Sequence, residues 1–215
     1  MLRFENVSFS YGKKEILSGF SFEAKDGEVT ALLGASGLGK TTILNLASGL
    51  YEPKSGKITP YSKERASFLF QENRLLPWYT VLRNLTVLGI SEERAEEVLQ
   101  KVGLAGEEKE FPSALSGGMQ RRLALARTLA FGGDVFYLDE PLQGLDLKTS
   151  GEILALMKKE LAGKSVLLIT HSPTEAFALC DRIVLVGKRP LKILADVPKD
   201  RFKNEEDLKE FLASF

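Results

Sequence analysis

The sequence predicts an α/β chain built on a mostly parallel sheet, and three observations predict it. Three short runs, VTALLG (Val29–Gly34), DVFYLDE (Asp134–Glu140) and SVLLIT (Ser165–Thr170), are apolar almost throughout, as strands buried on both faces are. Helical segments separate these runs, which is the alternation a parallel sheet requires. The first run feeds a glycine-rich loop that opens a helix, GASGLGKTT (Gly34–Thr42).

In chain order, Leu2–Tyr11 and Ile16–Ala24 alternate apolar and polar residues, as half-buried strands do. Asp26-Gly27 marks a tight turn before the first buried strand. A helix is expected from about Lys40 to Ser48, then a turn at EPKSG (Glu52–Gly56) and a strand ending near ASFLFQ (Ala66–Gln71). From Thr80 to about Gly103 the periodicity is helical with charged faces, as in SEERAEEVLQKV (Ser91–Val102). A second helix follows SALSGGMQRR (Ser113–Arg122), so the stretch around 80–130 reads as a helical subdomain inserted into the sheet. Further on, a helix around Leu147–Leu161, strands at 182–187 and about 191–196, and a helix from Glu205 to Leu212 complete the order.

Composition narrows the function classes. With 29 Lys plus Arg against 29 Asp plus Glu, no net charge draws the chain to nucleic acid or anionic lipid. The one cysteine, Cys180, excludes an internal disulfide and suits a reducing compartment; its place in the run AFALC reads as core packing. The N-terminal MLRFENVSFSYGKK lacks an apolar signal core, and nowhere do eighteen apolar residues run together. Any membrane role is therefore expected to come through a partner.

The chemistry concentrates at predicted strand ends. GASGLGKT (Gly34–Thr41) fits the phosphate-loop pattern in the strand–loop–helix context that the pattern needs. Its glycines let backbone N–H groups close on phosphate oxygens, Lys40 reaches the outer phosphates, and the Thr41 hydroxyl can ligate Mg²⁺. Asp139 and Glu140 end a buried strand, on the side of a parallel sheet where ligands sit. Asp139 can hold Mg²⁺, and Glu140 can orient or deprotonate an attacking water. His171, the only histidine, follows SVLLIT, and Gln71 ends ASFLFQ; either could face the phosphates or serve structure alone. Ser116-Gly117-Gly118, opening a helix, forms a second anion-shaped turn, whose bland reading is a simple N-cap.

Tyr11, GASGLGKT, Gln71, LSGGM (Leu115–Met119), VFYLDE, GLD (Gly144–Asp146) and His171 occur in the order and approximate spacing of an ABC transporter ATP-binding subunit, which the chain resembles over nearly its whole length. The resemblance implies a P-loop NTPase core with a mostly parallel sheet, an N-terminal antiparallel β subdomain and an inserted helical subdomain. The whole of 1–215 would be one ABC ATPase domain, with 1–79 and 131–215 as core and about 80–130 as the helical part. It implies that Tyr11 stacks on adenine and that Gly34, Ser36, Gly37, Gly39, Lys40, Thr41 and Thr42 cradle the phosphates of ATP. Thr41, Gln71 and Asp139 would hold Mg²⁺, with Glu140, His171 and Gln71 as the catalytic set. It further implies a homodimer on ATP binding, in which Ser116, Gly117, Gly118 and Asp146 serve the nucleotide held by the other subunit.

FQENRLLPW, the methionine of LSGGM and the Arg189-Pro190 pair resemble the nitrate/sulfonate/taurine importer branch, which also includes carriers of thiamine-pyrimidine precursors. That branch implies a peripheral location on the cytoplasmic face of the membrane, a permease partner and an extracytoplasmic solute-binding protein. Leu75, Leu76, Pro77 and Trp78 form an apolar tip that reads either as a permease docking surface or, for Trp78, as ordinary core packing. Departures from the branch pattern are Ser172 after the histidine, Gln143-Gly144 before the GLD leucine, Leu191 after Arg-Pro, and a short stretch between Leu88 and Ser91. A soluble ABC ATPase acting on nucleic acid or ribosomes is the alternative. It would commonly carry two cassettes or a long coiled-coil insertion, and no heptad run occurs here.

Overall fold

The computed structural model describes residues 1–61 and 65–215. Two sheets carry the architecture. β1 (Leu2–Tyr11), β2 (Lys14–Ala24) and β4 (Ser55–Thr59) form an antiparallel sheet in the order β2-β1-β4. A six-stranded sheet has the order β5-β6-β7-β3-β8-β9, from β3 (Val29–Leu33), β5 (Ala66–Leu69), β6 (Val135–Asp139), β7 (Ser165–Thr170), β8 (Arg182–Gly187) and β9 (Lys192–Pro198). Every pairing in it is parallel except that of the edge strand β9 with β8.

The predicted strand ending at Ala66–Gln71 divides into two. β4 joins the small sheet and β5 the large one, and β5 stops at Leu69, two residues short of Gln71. The stretch 80–103 likewise divides, into α2 (Val81–Thr86) and α3 (Glu92–Lys101). Gly89, at φ 80°, breaks the helix between them, and the Ser91 hydroxyl caps α3 by accepting from the Arg94 N–H at 3.3 Å. α1 (Lys40–Ala47), α4 (Gly117–Phe131), α5 (Leu147–Glu160) and α7 (Glu205–Ala213) fall where the sequence puts them, while α6 (Pro173–Leu179) was not anticipated.

β3, β6 and β7 are buried along their whole length, so successive side chains enter two cores. Leu33, Leu138 and Leu168 face the core shared with α4, α5 and α6, while Leu32, Tyr137 and Leu167 face α1 and the small sheet. α2 and α3 close the first core through Val81, Leu85, Val98 and Leu99. Burying a side chain of this size contributes roughly 1.5–3 kcal/mol. Cys180 lies in the first core, fully buried, and burial pushes its thiol up. The register places Leu33 beside Thr170 and Asp139 beside Ile169, so the residues after all three central strands emerge together at one sheet edge.

Candidate nucleotide-binding and hydrolysis site

That shared edge is the floor of the site. β3 runs out at Leu33, and Gly34–Gly39 wrap back to start α1 at Lys40. Two loop positions admit only glycine. A Cβ on Gly34 would collide with the Val186 carbonyl, and one on Gly39, at φ 109°, with the Ile16 side chain. The Lys40 ammonium is folded into the loop, donating to the carbonyls of Gly34 at 2.7 Å and Ala35 at 2.9 Å. Burial holds its pKa below the usual lysine range, offset by Glu140 and Asp139. Arg189 reaches the same loop by donating to the Gly37 carbonyl.

At the end of β6, the Thr41 hydroxyl donates to Asp139 Oδ2 at 2.6 Å. The other carboxylate oxygen, Oδ1, is buried with no hydrogen-bond partner among the described residues. Burial pushes the Asp139 carboxyl up, and the Thr41 bond pulls it back. A lone buried carboxylate oxygen beside a threonine hydroxyl matches the oxygen chemistry of Mg²⁺, which is held by one or two protein oxygens together with substrate phosphates.

Glu140 takes the left-handed conformation, φ 48°, and its N–H donates to the Ile169 carbonyl at 2.9 Å. This turn lifts its buried carboxylate toward His171, whose Nδ1 lies 2.7 Å from Glu140 Oε2. The imidazole is otherwise open, with 55% of the side chain accessible. Tyr11, Ser36, Gly37, Gly39, Lys40, Thr41, Thr42, Gln71, Asp139 and Glu140 line one cleft of about 230 Å³. Tyr11 stands at its mouth, 46% exposed, edge-on to Phe9 and Tyr51, with its hydroxyl 3.3 Å from the Thr42 hydroxyl. The arrangement can cradle a polyphosphate, place a cation at Asp139 and hold a base beside the outer phosphate.

Ser116, Gly117, Gly118 and Asp146 do not line that cleft. Ser116 caps α4, accepting from the Met119 N–H at 3.3 Å, yet it remains exposed together with Gly117. Gly118 packs on the following loop, where a Cβ would lie 3.6 Å from the Gly144 carbonyl. Asp146 caps α5 through the Thr149 N–H at 3.0 Å, a bond that holds its carboxyl below the usual range. Gly144 stands at φ 79°, so the Gln143-Gly144 departure supplies a left-handed turn. Ser172 caps α6 through the Glu175 N–H at 3.3 Å, the task an aspartate would also perform. Leu191 is buried in the second core, and its N–H donates to the Ile16 carbonyl at 2.8 Å.

The four-residue tip needs correction. Leu75 packs against the first core and Leu76 is half-buried, so the exposed part is Pro77 and Trp78. Core packing of Trp78 is also excluded, because the residue is 66% exposed. Asn84, which no pattern in the sequence marks, shapes this loop. Its fully buried amide accepts from the Leu76 N–H and donates to the carbonyls of Leu76, Tyr79 and Thr80. Arg121 and Glu175, both buried behind the site, were also missed. Arg121 could have been found, since it shares a helical face with Ala124, Leu125 and Thr128, all buried.

Comparison with known proteins points to one family. The family model described as ABC transporter matches residues 17–143. The aliphatic sulfonates import ATP-binding protein SsuB 3 of Pseudomonas savastanoi pv. phaseolicola is 38% identical over 220 residues, covering 96% of this chain and 81% of that one. SsuB 1 of Shouchella clausii is 38% identical over 216 residues, covering 97% and 87%. A solved dimeric ATP-binding cassette in a post-hydrolysis state bound to ADP and Pi superposes with a TM-score of 0.83 at 28% identity, covering 93% of this chain and 99% of that one.

Proposed function

Since this chain belongs to the ABC transporter family, we propose roles for its site residues and the class of permease it drives. It is the ATP-binding, ATP-hydrolysing subunit of an importer, converting ATP and water to ADP and phosphate. Tyr11 stacks on the adenine. The loop N–H groups from Ser36 to Thr42 take the phosphate oxygens, and Lys40 exchanges its loop carbonyls for the outer phosphates. Thr41, Asp139 and Gln71 would hold Mg²⁺, which neutralises phosphate charge when bound. Glu140 orients and deprotonates the attacking water, and His171 fixes the carboxylate that does so.

One observation carries this reading. Glu140, with His171 on its carboxylate, stands beside the Thr41–Asp139 pair in the cleft that also holds Lys40, at the strand ends where a phosphate would lie. The helical part, about 80–130, presents Ser116, Gly117 and Gly118 to the nucleotide of a second copy, with Asp146 beside them. The exposure of Ser116, Gly117 and Asp146 away from the chain's own cleft supports that arrangement.

Pro77 and Trp78 dock on a membrane permease, because an exposed aromatic beside a proline bend offers apolar area at small entropic cost. No helix among the described residues is long and apolar enough to cross a membrane, so attachment through that permease would hold the chain at the cytoplasmic face. The relatives named for aliphatic sulfonate import support a sulfonate-class solute, delivered by an extracytoplasmic binding protein. Phosphate release in proteoliposomes holding permease and chain is the test. Stimulation by a sulfonate-loaded binding protein is expected, and release indifferent to that protein would overturn the importer assignment.

A further inference from the structure

Six hydrogen bonds from one buried guanidinium meet behind the site. Arg121 on α4 is 3% exposed. Its Nη2 donates to the carbonyls of Asp139 at 2.6 Å and Glu140 at 2.7 Å, and its Nε to the Pro141 carbonyl at 3.2 Å. Its Nη1 donates to the carbonyls of Phe70 at 2.7 Å and Gln71 at 3.2 Å, and to Asn73 Oδ1 at 3.3 Å. One side of the planar fork thus holds the turn that follows β6, and the other holds the loop that follows β5.

We infer that Arg121 is a positioning residue for hydrolysis, fixing the backbone of Glu140 and of Gln71 to a single rigid group on α4. Three consecutive carbonyls, 139 to 141, turn toward one guanidinium where the chain passes through the left-handed conformation at Glu140. A non-glycine residue stays there only when its surroundings over-determine it. Arg121 supplies that determination from behind, while the Ile169 carbonyl holds the Glu140 N–H from the side. The same fork sets the Gln71 carbonyl, so the two loops keep a fixed distance across the cleft. A lysine cannot do this, since an ammonium is a point charge with no planar fork to span two loops.

This rests on the ATPase reading for its kinetic consequence but not for the tether itself, so two measurements separate them. The variants are Arg121→Met and Arg121→Lys, each read for kcat and for affinity toward a fluorescent ADP analogue with Mg²⁺. Positioning predicts that kcat falls about 10- to 100-fold in Arg121→Met while analogue affinity stays within about threefold. Arg121→Lys recovers no more than about a third of the loss. Amide hydrogen exchange reads the tether with no turnover needed: the Glu140 and Gln143 amides, bonded to the Ile169 and Glu140 carbonyls, lose protection, while β3 and β8 keep theirs. If Arg121→Met does not fold, the same readings on Arg121→Lys decide. Wild-type kcat in the variants, losses of kcat and affinity in proportion, or unchanged exchange at Glu140 and Gln143 would each overturn the inference.

Discussion

Glu140 and His171 lie 31 residues apart in the chain and 2.7 Å apart in space, carboxylate Oε2 to imidazole Nδ1. They meet because β6 and β7 are parallel neighbours in register, Asp139 beside Ile169, and each gives its next residue to the same edge. The left-handed turn at Glu140 then swings the carboxylate toward the imidazole. Glu140→Gln keeps the shape but removes the proposed base. Its phosphate release is expected to fall by about 10²- to 10⁴-fold with nucleotide affinity retained. His171→Ala is expected to lower kcat with little change in affinity. An ATPase assay paired with equilibrium nucleotide binding checks both.

Asp139 offers one oxygen to Thr41 and keeps the other buried, with no hydrogen-bond partner among the described residues. Asp139→Asn removes the charge a divalent cation requires, so affinity for Mg²⁺ with ATP is expected to drop at least tenfold while metal-free nucleotide affinity changes little. Burial raises the Asp139 carboxyl, so cation affinity in the wild type should begin to fall at a higher pH on acidification than an ordinary aspartate would dictate. Calorimetric titration of nucleotide with and without Mg²⁺ at two pH values reads both effects.

The sheet and the phosphate loop were legible in the sequence for definite reasons. Runs such as SVLLIT admit no face for solvent, and the loop's glycines sit where side chains would strike Val186 and Ile16. Pairing between strands distant in sequence was not legible, so β4 and β5 read as one strand although they belong to different sheets. The residues that line the cleft stand out in the sequence because their types are chemically demanding. The groups behind them were not, because a buried arginine such as Arg121 looks in sequence like any polar helix residue until its neighbours on the same face are counted. Trp78 was undecidable, since a tryptophan after a proline suits core and surface alike.

Glu175 is buried on α6, and burial pushes its carboxyl to about 7 from an ordinary 4.5. A carboxyl raised in the folded state binds more protons folded than unfolded between those two values. The folded state therefore loses stability as pH rises through about 7, and is relieved of that penalty below about 4.5. Glu175→Gln removes the titration. Its stability relative to wild type is expected to improve by about 1–3 kcal/mol between pH 5 and pH 8. Urea unfolding at both pH values measures it, and a pH-independent difference would mean the group does not titrate in that window.

Trp78 is exposed beside Pro77, while Asn84 holds the loop beneath it. Trp78→Ala is therefore expected to leave thermal stability and basal hydrolysis close to wild type while weakening capture by a membrane permease about tenfold or more. Asn84→Ala strands the loop's carbonyls and N–H in the interior, at a cost of about 1–3 kcal/mol. It should lower both stability and capture. Comparing the two variants by thermal melting and by co-purification with permease separates docking from folding.

In the proposed assembly ATP joins two copies, gripped by the Lys40 loop of one and the Ser116–Gly118 turn of the other. The direct measurement is the mass of the Glu140→Gln chain by light scattering, with and without saturating ATP and Mg²⁺, alongside a Glu140→Gln chain also carrying Gly117→Asp. Two-chain mass appearing only with ATP, and vanishing in the double variant, is the predicted result. One-chain mass at saturating ATP in Glu140→Gln, with nucleotide demonstrably bound, would contradict it.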